Sequence, residues 1–169
     1  MNAISTHRTK DSALIRKLER LAQGGAPRVL DLFSGAGGIS LGFRKAGFAI
    51  EGALELDPLA ALTHATNFHG HLTGEAFTTQ ATPRDMTRME PADLAEELGL
   101  GPVADAVDVL VGGPPCQAYA RVGRAKLREV ADHPEAFRVD PRGNLYLRYL
   151  TYVRACPPSA PMRQIQGSS

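Results

Sequence analysis

Residues Asp108 to Ala120, DVLVGGPPCQAYA, carry an apolar run into two glycines, two prolines and a cysteine. The chain holds two cysteines, Cys116 and Cys156, too few for a disulfide framework, so each is expected to be a thiol, inert or reactive. A cysteine that only fills space usually sits within a strand or helix as a small hydrophobe. Cys116 instead follows the end of a strand pattern, on backbone that Pro114 and Pro115 make rigid. That position presents a side chain, and a presented thiol is a nucleophile once it ionises.

A second segment with chemical content lies upstream, DLFSGAGGISLGF. The dinucleotide fingerprint G-x-G-x-x-G would need glycine at position 40 after Gly35 and Gly37, but Ser40 stands there and the next glycine is Gly42. The general physics survives the mismatch. A strand that turns through small residues into a helix aims backbone N–H groups and the positive helix end at an anionic group. Glu55, twenty residues beyond Gly35, closes the next strand pattern, where a carboxylate can accept from both hydroxyls of a ribose. A nucleoside ligand is therefore expected. On the loop alone a plain tight turn with Glu55 as a solvated strand end remains open.

Other candidates carry less. Cys156 lies in a Pro-rich tail and reads as an unremarkable free thiol. His64, His69, His71 and His133 share no metal-ligand spacing with either cysteine, so no zinc site is expected. Asp140, Arg142 and Asn144 fit the start of a helix, where Asp and Asn serve as caps. Arg121, Arg124, Lys126 and Arg128 form a basic cluster directly behind Cys116, suited to phosphate contacts or to a solvated face.

The elements that position these residues follow from periodicity. SALIRKLERL places Leu14, Leu18 and Leu21 at helical spacing with Ile15 beside them, behind Ser12 as a possible cap. RVLDLF is a strand that meets the glycines; Ile39, Leu41, Phe43 and Ala46 mark a helix stopped by Gly47; FAIEGALEL is a second strand. DPLAALTHATNF begins a helix with Asp57 as cap and Pro58 at its first position. From His69 to Pro83 the sequence is polar and rich in Gly and Thr, and reads as loop with at most a short strand before Arg84. EPADLAEELG is a helix with a glycine stop, and AVDVLVGG is the next strand. Strands alternating with helices predict an α/β fold with a doubly wound, mostly parallel sheet, and ligands bind such sheets beyond the carboxyl ends of the strands. At 169 residues and 43% hydrophobic content the chain suits one soluble domain. Nineteen basic against eighteen acidic residues leave nucleic acid neither demanded nor excluded by overall charge. No apolar run is long enough to span a bilayer and the polar start lacks a signal-peptide core, so a cytoplasmic protein with no membrane partner is expected, nucleoid-associated if bacterial.

Taken together, DLFSGAGGISLGFRKAGF and GGPPCQ resemble the DNA cytosine-5 methyltransferase family. ALELDPLAALTHATNF is similar to that family's second cofactor segment, RDM to its third, and DPRGNLYLRYL to the helix after its catalytic loop, so the resemblance runs from about Arg28 to Ala155. It implies a Rossmann-like S-adenosylmethionine-dependent methyltransferase fold. It also implies a leading helix and linker over 1–27, a partial methyltransferase domain over 28–155 and an irregular tail over 156–169. In this resemblance Phe33 packs on the adenine, Gly35 and Gly37 line the methionyl portion, Glu55 holds the ribose, Leu56 and Met86 complete an apolar slot, and Asp85 accepts from the adenine amino group. The resemblance also implies that Cys116 is the catalytic thiolate that adds to carbon 6 of cytosine and makes carbon 5 nucleophilic. Pro115 and Gln117 are then expected at the target base, Arg121 and Arg124 of the basic cluster are expected to bind the substrate through its phosphates, and the substrate implied is double-stranded DNA with its target cytosine flipped out of the stack. Ala120 departs from the family pattern, which usually has a serine there.

Family members continue after this last helix into a strand bearing a glutamate that protonates ring nitrogen 3, then into base-gripping, target-recognition and cofactor-completing segments. Here the corresponding stretch is CPPSAPMRQIQGSS, and no glutamate follows Glu135. The expectation is an incomplete fold: one half of a split enzyme that needs a complementing chain, or a truncated remnant that keeps only cofactor binding. An RNA cytosine-5 methyltransferase of the same family is the alternative substrate reading.

Overall fold

The computed structural model describes residues 3–113 and 143–157; Cys116 and the segment around it, with the helix start at Asp140 and Arg142, lie outside them. Three strands, β1 (Arg28–Leu32), β2 (Ala49–Leu54) and β3 (Val109–Gly112), form one parallel sheet in the order β2-β1-β3. The predicted α/β class and parallel sheet are borne out. β1 is central, and Val29, Leu30, Asp31 and Leu32 are all buried, as a parallel strand covered on both faces requires.

Each face has its own cover. Leu30, Leu32 and Leu54 enter a core with Met86 and with Leu94 and Ala95 of α5 (Pro91–Glu97). Tyr152 of α6 (Gly143–Ala155) completes that layer. Against the other face lie α2 (Gly38–Lys45) and α3 (Pro58–His69), where Ala61 and Ala65 let α3 approach closely. The predicted cap of α3 is present: Asp57 accepts from the Ala60 N–H at 2.8 Å, with Pro58 at the first position. Gly47 and Gly99, at φ 88° and 66°, follow the ends of α2 and α5 as their stop signals predict.

Four expectations are corrected. The leading helix, α1, spans Ala3–Ala22, so Ser12 lies inside it and not at its start; nothing from Thr6 to Asp11 breaks a helix. Its inward face holds Ala13 and Lys17, while Ile15 and Leu18 are 56% and 48% exposed. Charged groups dock it instead. Arg16 grips Asp105 with two bonds of 3.0 and 2.6 Å, Arg20 pairs with Asp108, and Lys17 donates to the Pro157 carbonyl at 2.8 Å. In α2 the buried residue is Ser40, whereas Ile39 and Leu41 face outward.

The polar stretch read as loop contains α4 (Gly74–Ala81). It buries none of its own residues, which is why no apolar period marks it. It packs on α3, and Gln80 Nε2 donates to the Glu51 carbonyl (3.1 Å) where the β1–β2 register shifts. Cys156 is a free thiol but belongs to the core, 2% exposed, with its N–H donating to the Tyr152 carbonyl at 2.8 Å. Burial pushes its thiol pKa up to about 11, so it is inert rather than merely unplaced.

Among the described residues β3 pairs only with β1, leaving its outer edge without a strand. An open edge invites a further strand. The isolated 169-residue chain is expected to associate or to require a complementing chain; a monodisperse monomer by light scattering, with slow amide exchange through Val107 to Val111, would contradict this.

Candidate functional site

The three strands end on one side of the sheet, and a cleft of about 320 Å³ opens there. Phe33 follows β1 with φ 64°, a left-handed conformation rare for an aromatic residue, and its N–H donates to the Leu54 carbonyl at 2.8 Å. Gly35 continues the turn at φ 53° and Gly37, at φ 96°, caps α2. This sharp exit from the strand exposes Phe33 and Gly35 to the cleft.

Glu55, one residue past β2, ties the loop together. Its Oε2 accepts from the Gly35 N–H at 2.8 Å, and its Oε1 accepts from the N–H groups of Leu56 and Asp57, both at 2.9 Å. A carboxylate has about four acceptor positions, so these three bonds leave room for about one donor from a ligand while they stand. Asp85 lies across the cleft. Its Oδ1 accepts from the N–H and hydroxyl of Thr87 at 2.8 and 2.7 Å, and those bonds hold its carboxyl below the usual carboxylate range. Its Oδ2 has Arg88 at 3.8 Å and can face a ligand donor.

The cleft brings together Phe33, Gly35, Glu55, Leu56, Asp85 and Met86. Met86 is buried, whereas Leu56 is 63% exposed. Gly37 is turned away from it: a Cβ there would collide with the Phe68 ring and meet His64 Cδ2 at 3.0 Å, so this glycine permits α3 to sit against the loop. The cleft also includes Leu54, Arg84, Gly113 and Leu145, which sequence reasoning did not single out. Leu54 and Gly113 are strand-end residues and could have been found from the rule that places ligands there. Leu145 comes from α6 and carries no local signal. The Arg84 side chain points away, to Glu97 at 2.9 Å and the carbonyls of Thr79 and Thr82 at 2.7 and 3.0 Å. Its role is to shape the turn before Asp85.

Below the loop, Ser40 Oγ donates to Asp31 Oδ2 at 2.6 Å and lies 3.0 Å from His64 Nε2. The serine stands between the other two and all three are buried, so the cluster fastens α2 to β1 and α3 and exposes no nucleophile. Burial raises the Asp31 pKa and lowers those of His64 and His69 to about 4.

Cys116, Pro115, Gln117, Arg121 and Arg124, with Ala120, Lys126 and Arg128, lie outside the described residues. Gly113, the last described residue before them, lines the cleft. No helix among the described residues is long and apolar enough to cross a membrane.

Residues 27–161 match the family model for C-5 cytosine-specific DNA methylase, which leaves α1 outside the match. A putative type II methyltransferase of Oceanobacillus iheyensis, M.OihORF3336P, is 36% identical over 129 residues, covering 75% of this chain and 26% of that protein. The type II methyltransferase M1.HphI of Haemophilus parahaemolyticus is 34% identical over 129 residues, 76% of this chain and 29% of its own. M.AquIA, a type II methyltransferase of a Picosynechococcus species, is 31% identical over 141 residues, 83% of this chain and 49% of its own. The chain thus spans about a quarter to a half of the length of these relatives. No solved structure gives a significant match. With the family match running over most of the sequence, from β1 past α6, the chain belongs to the C-5 cytosine-specific DNA methylase family.

Proposed function

We propose that the chain supplies the S-adenosylmethionine site and the nucleophile of a DNA cytosine-5 methyltransferase. The observation that carries this is the cleft itself, where segments far apart in sequence converge at the strand ends with Gly113, three residues before Cys116, at its margin. Its donor and acceptor set fits the cofactor. Phe33 and Met86 offer apolar surface for an adenine, Asp85 an ionised acceptor for an exocyclic amino group, and Glu55 an acceptor for a ribose hydroxyl. When bound, S-adenosylmethionine supplies an electrophilic methyl group. Cys116 would add as thiolate to carbon 6 of a cytosine flipped from duplex DNA, making carbon 5 enamine-like and able to take the methyl as S-adenosylhomocysteine leaves; loss of the carbon-5 proton would then break the S–C6 bond and return the thiolate. Pro115 and Gln117 flank the thiol at the target base, and Arg121 and Arg124 contact phosphates. Polypeptide beyond these 169 residues, as a continuation or as a complementing chain, supplies the glutamate acid and the recognition of DNA sequence; the share of the relatives' length that the chain spans supports this.

Calorimetry with S-adenosylhomocysteine tests the cleft. Binding is expected to be detectable and weak, and Glu55→Ala should weaken it by about 1.5 to 3 kcal/mol through loss of charged hydrogen bonds. Equal affinity for the variant and the parent chain would remove Glu55 from the site.

A further inference from the structure

We propose that Arg148 is a positioning residue for the cofactor: it fixes the adenine wall of the cleft to α6, so that cleft occupancy and the placement of α6 are linked. The inference rests on the reading of the cleft as the cofactor site. Leu145, Arg148 and Tyr152 share one face of α6 by helical spacing, and Leu145 lines the cleft. From that face Arg148 Nε donates to the Met86 carbonyl at 3.0 Å and its Nη2 to the Met89 carbonyl at 2.6 Å. Tyr152 Oη adds a bond of 2.9 Å to the same Met89 carbonyl.

Two main-chain carbonyls of one turn held by one planar fork fix that turn in position and in orientation, which a single ammonium cannot do. The turn is the one that presents Asp85 and Met86. On its β2 side it is fastened by the Arg84 N–H, which donates to the Glu55 carbonyl at 2.7 Å. The adenine wall is thus slung between the Glu55 segment and α6. The remaining arm of Arg148 reaches Glu90 at 2.9 Å, but Glu90 is 56% exposed and that pair contributes little. α6 opens at Gly143, where the stretch that includes Cys116 ends, so the same guanidinium joins the cofactor wall to the helix that follows the nucleophile segment. Linkage makes the effect reciprocal: a ligand that favours the held turn also favours the held helix.

The test is S-adenosylhomocysteine binding by calorimetry together with amide exchange across α6, on the full chain. Arg148→Met is expected to bind about tenfold more weakly, Arg148→Lys to fall between it and the parent, and Glu90→Gln to stay within about twofold. In the parent chain the ligand should slow exchange in α6, and in Arg148→Met that slowing should be lost. Val29→Ala, a core truncation at the far end of β1, gives the reference for lost stability alone and should leave affinity unchanged while it lowers the unfolding midpoint. Parent-like affinity in Arg148→Met, or α6 exchange in the parent that ignores the ligand, overturns the proposal and leaves the cleft assignment standing. Should Arg148→Met fail to fold, Arg148→Lys and the parent's α6 exchange decide the matter. Absence of any binding by the parent chain overturns the cleft assignment and this proposal with it.

Discussion

In an enzyme assembled around this chain, Cys116→Ser is expected to abolish methyl transfer to cytosine, a fall on the order of 10³-fold or more. A serine hydroxyl is scarcely ionised near neutral pH, so it cannot add to carbon 6 and carbon 5 stays unactivated. The 169-residue chain by itself should show no measurable turnover either. General acid catalysis contributes roughly 10² to 10⁴-fold, and the sequence holds no glutamate after Glu135 to give that proton; base-gripping and recognition segments would add positioning. Incorporation of labelled methyl groups into cytosine-containing DNA checks both, with the chain alone and with a chain carrying the glutamate segment. Robust turnover by the chain alone would defeat the need for further polypeptide, and activity that survives in Cys116→Ser would defeat the role of the cysteine.

Acid should loosen the fold between about pH 6.5 and 4, a loss that begins above the range where most carboxylates protonate. His64 and His69 are 1% and 5% exposed, and burial lowers both pKa values from 6.5 to about 4. Across that window the unfolded chain binds more protons than the folded one, so stability is fully present above pH 6.5 and declines toward pH 4. The shift corresponds to about 3 kcal/mol for each ring. Asp31 acts in the opposite sense, because its raised pKa lets the folded state take up a proton first, and it offsets part of the loss. Urea unfolding at pH 7, 5.5 and 4.5 measures the slope, and His64→Gln should flatten it by about half. Equal midpoints across that range in the parent chain would show that the rings are charged without cost in the native state.

Much of the fold could be read because its signals are local. Asp57 and Pro58 cap α3, Gly47 and Gly99 end α2 and α5, and the mainly apolar RVLDLF before the glycines marks a strand buried on both faces. The failures share a different cause. α4 has no apolar period because it lies on α3 and buries nothing of its own. α1 is docked by Arg16, Lys17 and Arg20, so of its apolar marks Leu14 and Leu21 are half-buried while Ile15 and Leu18 are exposed. Cys156 reads as tail because proline follows it, yet its N–H closes the last turn after α6 on Tyr152 and its side chain joins a core with Leu94, which is distant in sequence. In the cleft, Glu55, Asp85 and Met86 stood in recognisable segments, whereas Leu145 and the grip of Arg148 depend on where α6 lands.

The docking of α1 has a consequence for synthesis. Its anchors Asp105 and Asp108 lie 89 and 88 residues downstream of Arg16 and Arg20, and Pro157 lies 140 residues beyond Lys17. A ribosome adding about 5 to 20 residues per second leaves the first helix waiting on the order of 10 s before its last anchor emerges. Through that interval Lys17 lacks the Pro157 carbonyl to which it donates. Closure of α1, whose anchors Asp105 and Asp108 precede β3, therefore follows assembly of the sheet rather than seeding it.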